Sequence, residues 1–392
     1  MPAADRLHAR PASNQAEVPV ISLWILDTGQ RGDLAQMVAV ARQLSCADVR
    51  IIPLVDDGQA SRLPHWPALR GASLAGVSSA ARRQLCPPWP DVVFCAGRGA
   101  QAAARWVGRQ AGGYTKLVNF LRPQAPLSWF DLVITMPPFR VPPAPNVLHL
   151  QAMLLADAEN ADDGARTWEE RLNSLPRPWI AVLAGGGSPP YAFDEHDARR
   201  LADCMEARVT SSGGSLLLST SPRTPPGAVR ILQERAATLP HLAYVWGRSR
   251  GENPHQLFIR QADEIIVTMD SLSMMTEAAA SNANRVMLFP LANANSMKQR
   301  LRGLASHLAD TPALSAVGRA LRSLGLLLPP QDKEGYAAML VCAGYALFAP
   351  RNNCNEMAQD SDFVAPRRSL RPVVEAECRR AALAVEQLLA RR

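Results

Sequence analysis

Ser271 and Ser273 stand where a run of β-formers, Ile265-Ile266-Val267-Thr268, gives way to a helical pattern carrying one acid, Glu277. These residue types in this order point to anion chemistry. A helix N-terminus carries about half a positive charge and unpaired N–H groups, and hydroxyls placed there add donors aimed the same way. Glu277 falls one helical turn after Ser273, on the same face. A diphosphate at the helix mouth, with ribose hydroxyls donating to the carboxylate, satisfies all three residues. The competing reading is an Asp270 helix cap and a solvated Glu277.

Two further turns suit the same ligand. Gly185, Gly186 and Gly187 follow the apolar run Trp179–Ala184, and consecutive glycines let backbone amides approach an anion closely. Pro189 and Pro190 come next, so this is neither a Walker loop nor a dinucleotide fingerprint, and a plain strand–helix turn is the alternative. The segment Ser219–Thr224 puts hydroxyls and Arg223 at another strand end, the short donors and planar cation that phosphate oxygens favour; a capped helix start with a surface arginine fits equally. "GENPH", Gly251–His255, could wall a base. In the first half, "LDTGQRGDLAQ" sets Asp27 and Asp33 at the mouth of an opposite cleft. Either carboxylate could take a proton from an acceptor hydroxyl, and Asp33 could instead cap a helix. Arg98, in the turn "CAGRG", is available to an acidic group. There is no G-x-S-x-G, no H-E-x-x-H and no defensible Ser/His/Asp order, which sets hydrolase and metalloenzyme readings aside.

The elements that must position these residues alternate. Strand, turn and helix repeat from Val20 to Leu150, and again from Trp179 to Pro290. The strand segments are continuous apolar runs, as in parallel sheets covered on both faces. The expected fold is therefore α/β, with two Rossmann-like domains facing a cleft and ligands at the carboxyl ends of the strands. The expected boundaries are a leader at 1–17, a first domain at 18–155, a linker at 156–178, a second domain at 179–366 and a C-terminal helix at 367–392 that packs back on the first domain.

Composition narrows the rest. The chain has 392 residues, is 47% hydrophobic and carries a formal charge of +7. Its length suits two domains of roughly 150–200 residues. Only Lys116, Lys298 and Lys333 are lysines; with no basic run, nucleic acid is not an expected partner. Seven scattered cysteines with no C-x-x-C argue for reduced thiols in a cytoplasmic compartment and against a zinc site. The apolar run Tyr336–Ala349 is shorter than the ~20 residues a membrane span needs; it reads as a buried helix or, more sharply, an interfacial membrane patch.

"WILDTGQRGDLAQ", "FDLVITMPPF", "VLAGGGS", "LSTSPRTP", "ENPHQLFIRQADEIIVTMDSLSMMTEAA" and "VMLF" together resemble the mitochondrial-fission (elongated-mitochondria) protein family of plants and bacteria. The resemblance runs from about Ser22 to Pro290, and D-S-x-S-M-x-x-E-A is its most specific block. It implies a two-domain architecture like that of GT-B glycosyltransferases. It also implies a nucleotide-sugar cleft formed by Gly185, Gly186, Gly187, Ser219, Arg223, Asn253, Asp270, Ser271, Ser273 and Glu277, with no further cofactor and no metal. Pro137–Arg140, "PPFR", departs from the Pro-x-His-Asp-like element common in the family. The implied activity is sugar transfer from a nucleotide-sugar donor to a cell-envelope glycan or a lipid-linked acceptor, with peripheral inner-membrane contact. The alternative is a non-catalytic adaptor that binds a membrane-remodelling partner, as plant relatives are linked to a dynamin-related protein. An epimerase is disfavoured, because the chain lacks G-x-x-G-x-x-G in its N-terminal turn and Tyr-x-x-x-Lys anywhere.

Overall fold

The computed structural model describes residues 20–55, 71–156, 163–249, 251–294, 301, 304–305, 307–309, 311, 314–350 and 367–391. The leader expected at 1–17 and a loop expected at Asn352–Pro366 lie outside the described residues. The first lobe runs β1 (Ile21–Asp27), α1 (Arg31–Ala41), β2 (Ala47–Pro53), α2 (Ser79–Gln84), β3 (Val92–Cys95), α3 (Arg98–Gln110), β4 (Lys116–Phe120), β5 (Leu132–Thr135) and β6 (Val147–His149). Its six strands are all parallel, in the order β2-β1-β3-β4-β5-β6. Every side chain of β3 is buried, as a strand covered on both faces requires. The winding direction reverses between β1 and β3, and a crevice opens at the carboxyl ends of two strands whose connections leave in opposite directions.

After α4 (Asp163–Asn173), the second lobe repeats the plan: β7 (Trp179–Ala184), α5 (Glu195–Ser212), β8 (Ser215–Thr220), α6 (Pro226–Ala236), β9 (His241–Tyr244), α7 (His255–Gln261), β10 (Glu264–Thr268), α8 (Leu272–Ala280), β11 (Arg285–Phe289), α9 (Ser315–Ser323), α10 (Lys333–Cys342) and β12 (Leu347–Phe348). The order β12-β11-β10-β7-β8-β9, all parallel, winds outward from β7 on both sides. The switch point therefore lies between β7 and β10. The chain after β7 is the glycine turn, and the chain after β10 is Asp270-Ser271. Both sequence motifs thus emerge where doubly wound sheets bind ligands.

Local chemistry sets the helix ends. Asp194 caps α5 by accepting from the Asp197 amide at 2.9 Å, and Gly213 ends that helix in the left-handed region. The last helix, α11 (Arg371–Ala390), begins against α8, where the Leu370 amide donates to the Ala279 carbonyl. It then crosses to the first lobe: the Arg380 guanidinium donates to the His149 carbonyl at 2.9 Å, and Glu386 accepts from Ser45. The run Tyr336–Ala349 divides at Gly344, whose φ is +76°, into α10 and the edge strand β12. Tyr336, Ala337 and Leu340 are buried, so the α10 part of that run packs in the core rather than forming a membrane patch. Cys204 is disulfide-bonded, against the expectation of reduced thiols throughout, and five other cysteines are free.

One ion pair is nearly dry. Arg208 of α5 forks onto Glu264 at the start of β10, Nε to Oε2 at 2.7 Å, with both side chains about nine-tenths covered. Breaking such a pair strands a buried charge at a cost of about 3–5 kcal/mol, whereas replacing both partners by apolar groups is far milder. Arg208→Met should therefore lower unfolding free energy in a denaturant titration by more than the Arg208→Met/Glu264→Leu double variant. Equal losses would show that the pair is hydrated.

Candidate functional site

The floor of the second lobe's crevice is built on Asp270. Its carboxylate is 1% exposed and accepts from the amides of Gly186 at 2.9 Å and Ser188 at 3.1 Å and from the Thr268 hydroxyl at 2.7 Å. Thr268 in turn accepts from the Gly185 amide. The glycines are required by this packing. A Cβ on Gly185 would stand 2.1 Å from Asp270 Oδ1, one on Gly186 2.2 Å from Arg223 Cβ, and one on Gly187, already at φ +69°, 2.6 Å from the Phe193 nitrogen. This differs from the expectation that the loop amides point at a ligand: those of Gly185, Gly186 and Ser188 are turned inward onto β10. Asp270 likewise faces the loop it holds.

Lys333, at the start of α10, closes the same junction. Its ammonium donates to the Ser188 carbonyl at 2.9 Å, the Ser188 hydroxyl at 3.0 Å and the Asp270 carbonyl at 2.6 Å, which uses all three of its hydrogens. Burial pulls its pKa down to about 8, with the Asp270 carboxylate opposing that shift and Arg223 adding to it. Sequence reasoning did not select this residue. The available signal was its type, since a lysine is rare in a chain whose cations are nearly all arginine.

Above this floor the two lobes meet helix mouth to helix mouth. Ser271, not Asp270, is the N-cap of α8; its hydroxyl accepts from the Met274 amide at 3.4 Å. Ser273, in the first turn, faces Gly32 in the first turn of α1, where an added Cβ would lie 3.0 Å from Ser273 Oγ. Beside them, the Arg31 guanidinium sits 4.7 Å from the centre of the Trp246 ring, an interlobe cation–π contact.

Glu277 is one turn below Ser273 and half-buried. Its Oε2 lies 3.0 Å from His255 Nε2, and Ser219 Oγ lies 3.1 Å from His255 Nδ1. A carboxylate oxygen accepts, so Nε2 is the donor to Glu277, and the Ser219 hydroxyl pairs with Nδ1. Ser219 thus orients the histidine, and the histidine orients Glu277. Asn253 caps the same turn by accepting from the His255 amide at 3.1 Å. Behind this row a cavity of about 550 Å³ lies between α1 (Ala35, Ala39), α7 (Gln256), α8 (Glu277) and α11 (Val374, Cys378). Glu277 therefore faces open space between the lobes.

On the opposite wall, Asp27 holds its own turn by accepting from the Gly29 amide at 2.8 Å. Asp33 is the third residue of α1, where Gln30 is the cap position, so Asp33 is not a helix cap. Its carboxylate lies close to the β3–α3 turn, 3.9 Å from where a Cβ on Gly97 would be. Burial, with the Asp27 charge adding to it, pushes its pKa up to about 6, against the pull of Arg223. Arg223 itself is exposed. The Asp33 carboxylate of the first lobe is thus within electrostatic reach of a guanidinium of the second. No cluster of His, Cys, Asp or Glu suited to a metal occurs among the described residues.

Fold and geometry define a two-lobed α/β protein in which the first turn of α8 meets that of α1 and a pKa-shifted carboxylate lies on the first lobe's side of that contact. The chain belongs to the mitochondrial fission ELM1 family, whose model matches residues 31–326. Among its relatives, the mitochondrial fission protein ELM1 of Arabidopsis thaliana is 25% identical over 233 residues, covering 54% of this chain and 54% of that protein. The uncharacterized protein RP120 of Rickettsia prowazekii (strain Madrid E) is 21% identical over 324 residues, 72% of this chain and 86% of that one. Similar solved structures include glycosyltransferase VinC with dTDP (12% identity, 94% of this chain and 95% of that one, TM-score 0.46) and E. coli ADP-heptose LPS heptosyltransferase II (13%, 94% and 100%, TM-score 0.43).

The Asp33 shift has a thermodynamic signature. A carboxylate whose folded pKa is raised binds its proton more tightly in the native state, so it favours folding at low pH and loses that contribution as pH climbs from about 4 to about 6. Asp33→Asn should therefore raise the melting temperature at pH 7.5 relative to the parent more than it does at pH 4. An equal effect at both values would mean that Asp33 is solvated.

Proposed function

We propose that the protein is a glycosyltransferase-like enzyme that moves a sugar from a nucleotide-sugar donor to a cell-envelope glycan or lipid-linked acceptor. One observation carries the reading: the N-terminal end of α8 meets the N-terminal end of α1 across the lobes, while Glu277, on the same face one turn down, is held by His255 and borders the interlobe cavity. A nucleoside diphosphate fits this row. Its phosphates lie at the Ser271–Ser273 helix end, where N–H groups and the dipole favour negative charge, and its ribose hydroxyls donate to Glu277.

In this scheme Asp33 is the base. With a pKa near 6 it is ionised at neutral pH yet basic enough to accept a proton. The acceptor hydroxyl gives its proton to Asp33, its oxygen bonds to the anomeric carbon, and the bond from that carbon to the diphosphate oxygen breaks. The helix dipole and Arg223 stabilise the leaving diphosphate, with Lys333 adding positive charge from beneath; the scheme uses no metal and no further cofactor. Burial, with the neighbouring Asp27 charge adding to it, keeps the Asp33 pKa high. Closure of the lobes excludes water from the donor.

A second reading has its own support. The inward-turned amides of the glycine loop leave fewer ligand donors than the sequence suggests, which suits an adaptor that keeps the architecture without the chemistry, in a family whose plant member is named for mitochondrial fission.

Thermal melting with UDP, dTDP, ADP, GDP and CMP separates the two. A ligand at a hundred times its Kd adds about 2.7 kcal/mol of stability. The transferase reading expects at least one nucleotide to raise the melting temperature, and Glu277→Ala to abolish most of that rise without lowering the melting temperature of the free protein. A panel without any shift favours the adaptor.

A further inference from the structure

β2 is the outermost strand of the first sheet. Among the described residues its one strand neighbour is β1. The Cys46 carbonyl accepts from the Ile21 amide at 2.7 Å, and the Leu54 amide donates to the Asp27 carbonyl at 2.8 Å. Backbone polar groups alternate in direction along a strand, so the main-chain groups of residues 46, 48, 50, 52 and 54 face β1. The amides and carbonyls of Ala47, Val49 and Ile51 therefore point outward along the open edge. Pro53, which has no amide to offer, ends that row.

The side chains add to this exposure. Val49 is 39% and Ile51 46% exposed. Their register partners in β1, Leu23 and Ile25, are fully buried on the same face, so the layer that covers β1 stops short of β2. Open edges are ordinarily blunted by lysines, bulges or prolines within the strand. Here the outward row carries apolar side chains, and the strand's two charges, Asp48 and Arg50, stand exposed on its other face with opposite signs.

That pair of charges selects the occupant. A two-fold axis beside one residue of an antiparallel pair sets the residue before it against the residue after it in the partner. With the axis at Val49, Asp48 lies opposite the second copy's Arg50, and Arg50 opposite the second copy's Asp48. Ala47 then faces Ile51, and the outward amides of each copy meet the outward carbonyls of the other. Moving the axis to residue 48 or 50 sets Asp48 or Arg50 against itself, and like charges directly opposite are destabilising. Arg50 is suited to the contact: its bond to Gln84 Oε1 is long, at 3.4 Å, and its guanidinium lies 5.7 Å from the centre of the Trp24 ring, which leaves N–H donors for a carboxylate. A strand from an unrelated protein would satisfy the same backbone groups, but it would not require the edge to complement itself. We infer that β2 is a dimerisation edge, at which two copies of the chain pair antiparallel about Val49 and join their six-stranded first-lobe sheets into one. Val49 and Ile51 of both copies form an apolar band on one face of the joint, and two ion pairs close the other. The inference is independent of the sugar-transfer reading.

Light scattering of the full chain over a dilution series tests it. The parent should approach twice the 42.5 kDa chain mass at high concentration and dissociate on dilution. Asp48→Arg and Arg50→Asp each place like charges at both cross-strand pairs, and each alone should weaken dimerisation at least ~10-fold. Mixed in equal amounts, the two variants should associate with each other as tightly as the parent does with itself, because the register then sets arginines against aspartates. Val49→Pro removes an outward amide without touching the ladder to β1, a change that edge strands tolerate, and should yield a monomer; if it fails to fold, the two charge variants decide. A parent that stays monomeric at every concentration overturns the inference. So does a dimer that both single charge variants leave intact, or a mixture of them that does not associate.

Discussion

One buried carboxylate organises the mouth of the second lobe. Asp270 follows the strand β10 at the topological switch point and accepts from two amides of the glycine turn and from Thr268. Hydrogen bonds to a charged acceptor contribute about 1.5–3 kcal/mol each, and losing the acceptor leaves their donors buried and unsatisfied. Lys333 ties down both turns from the far side through main-chain oxygens on each. The turns after β7 and β10 therefore behave as one rigid unit. That rigidity fixes the first turn of α8 on the second lobe, where Ser273 stands opposite Gly32 of α1.

The same constraint divides the work among residues. Groups that resemble ligand donors on paper are spent on shape: the glycine amides, Asp270, and Ser219 through its bond to His255. What remains directed at the gap is the α8 helix end, Glu277 with its fixed rotamer, exposed Arg223 and the acidic pair of the first lobe. Electrostatics joins the walls, since Arg223 bears on both Asp33 and Lys333. The site is thus an interlobe object, and its chemistry depends on how closely the lobes meet.

Much of the fold was legible in the residues. Continuous apolar runs such as Trp179–Ala184 and Glu264–Thr268 identify buried parallel strands, and the turns that follow them fall at the switch point. The direction of the glycine amides was hidden, because Gly185–Gly187 are dictated by what packs on them. Lys333 reaches Asp270 from 63 positions away in sequence, and the His255–Glu277 pair spans 22. Local pattern cannot show contacts that only the tertiary fold creates.

The central claim is that the helix end beginning at Ser271 holds a pyrophosphate between the lobes. A crystal structure with a bound nucleoside diphosphate, chosen from those that stabilise the protein, tests it most directly. The account predicts phosphate oxygens within hydrogen-bonding distance of the Ser271 and Ser273 hydroxyls or first-turn amides of α8, with ribose oxygens on Glu277. A nucleotide bound elsewhere, with no phosphate oxygen near that helix end, would contradict it.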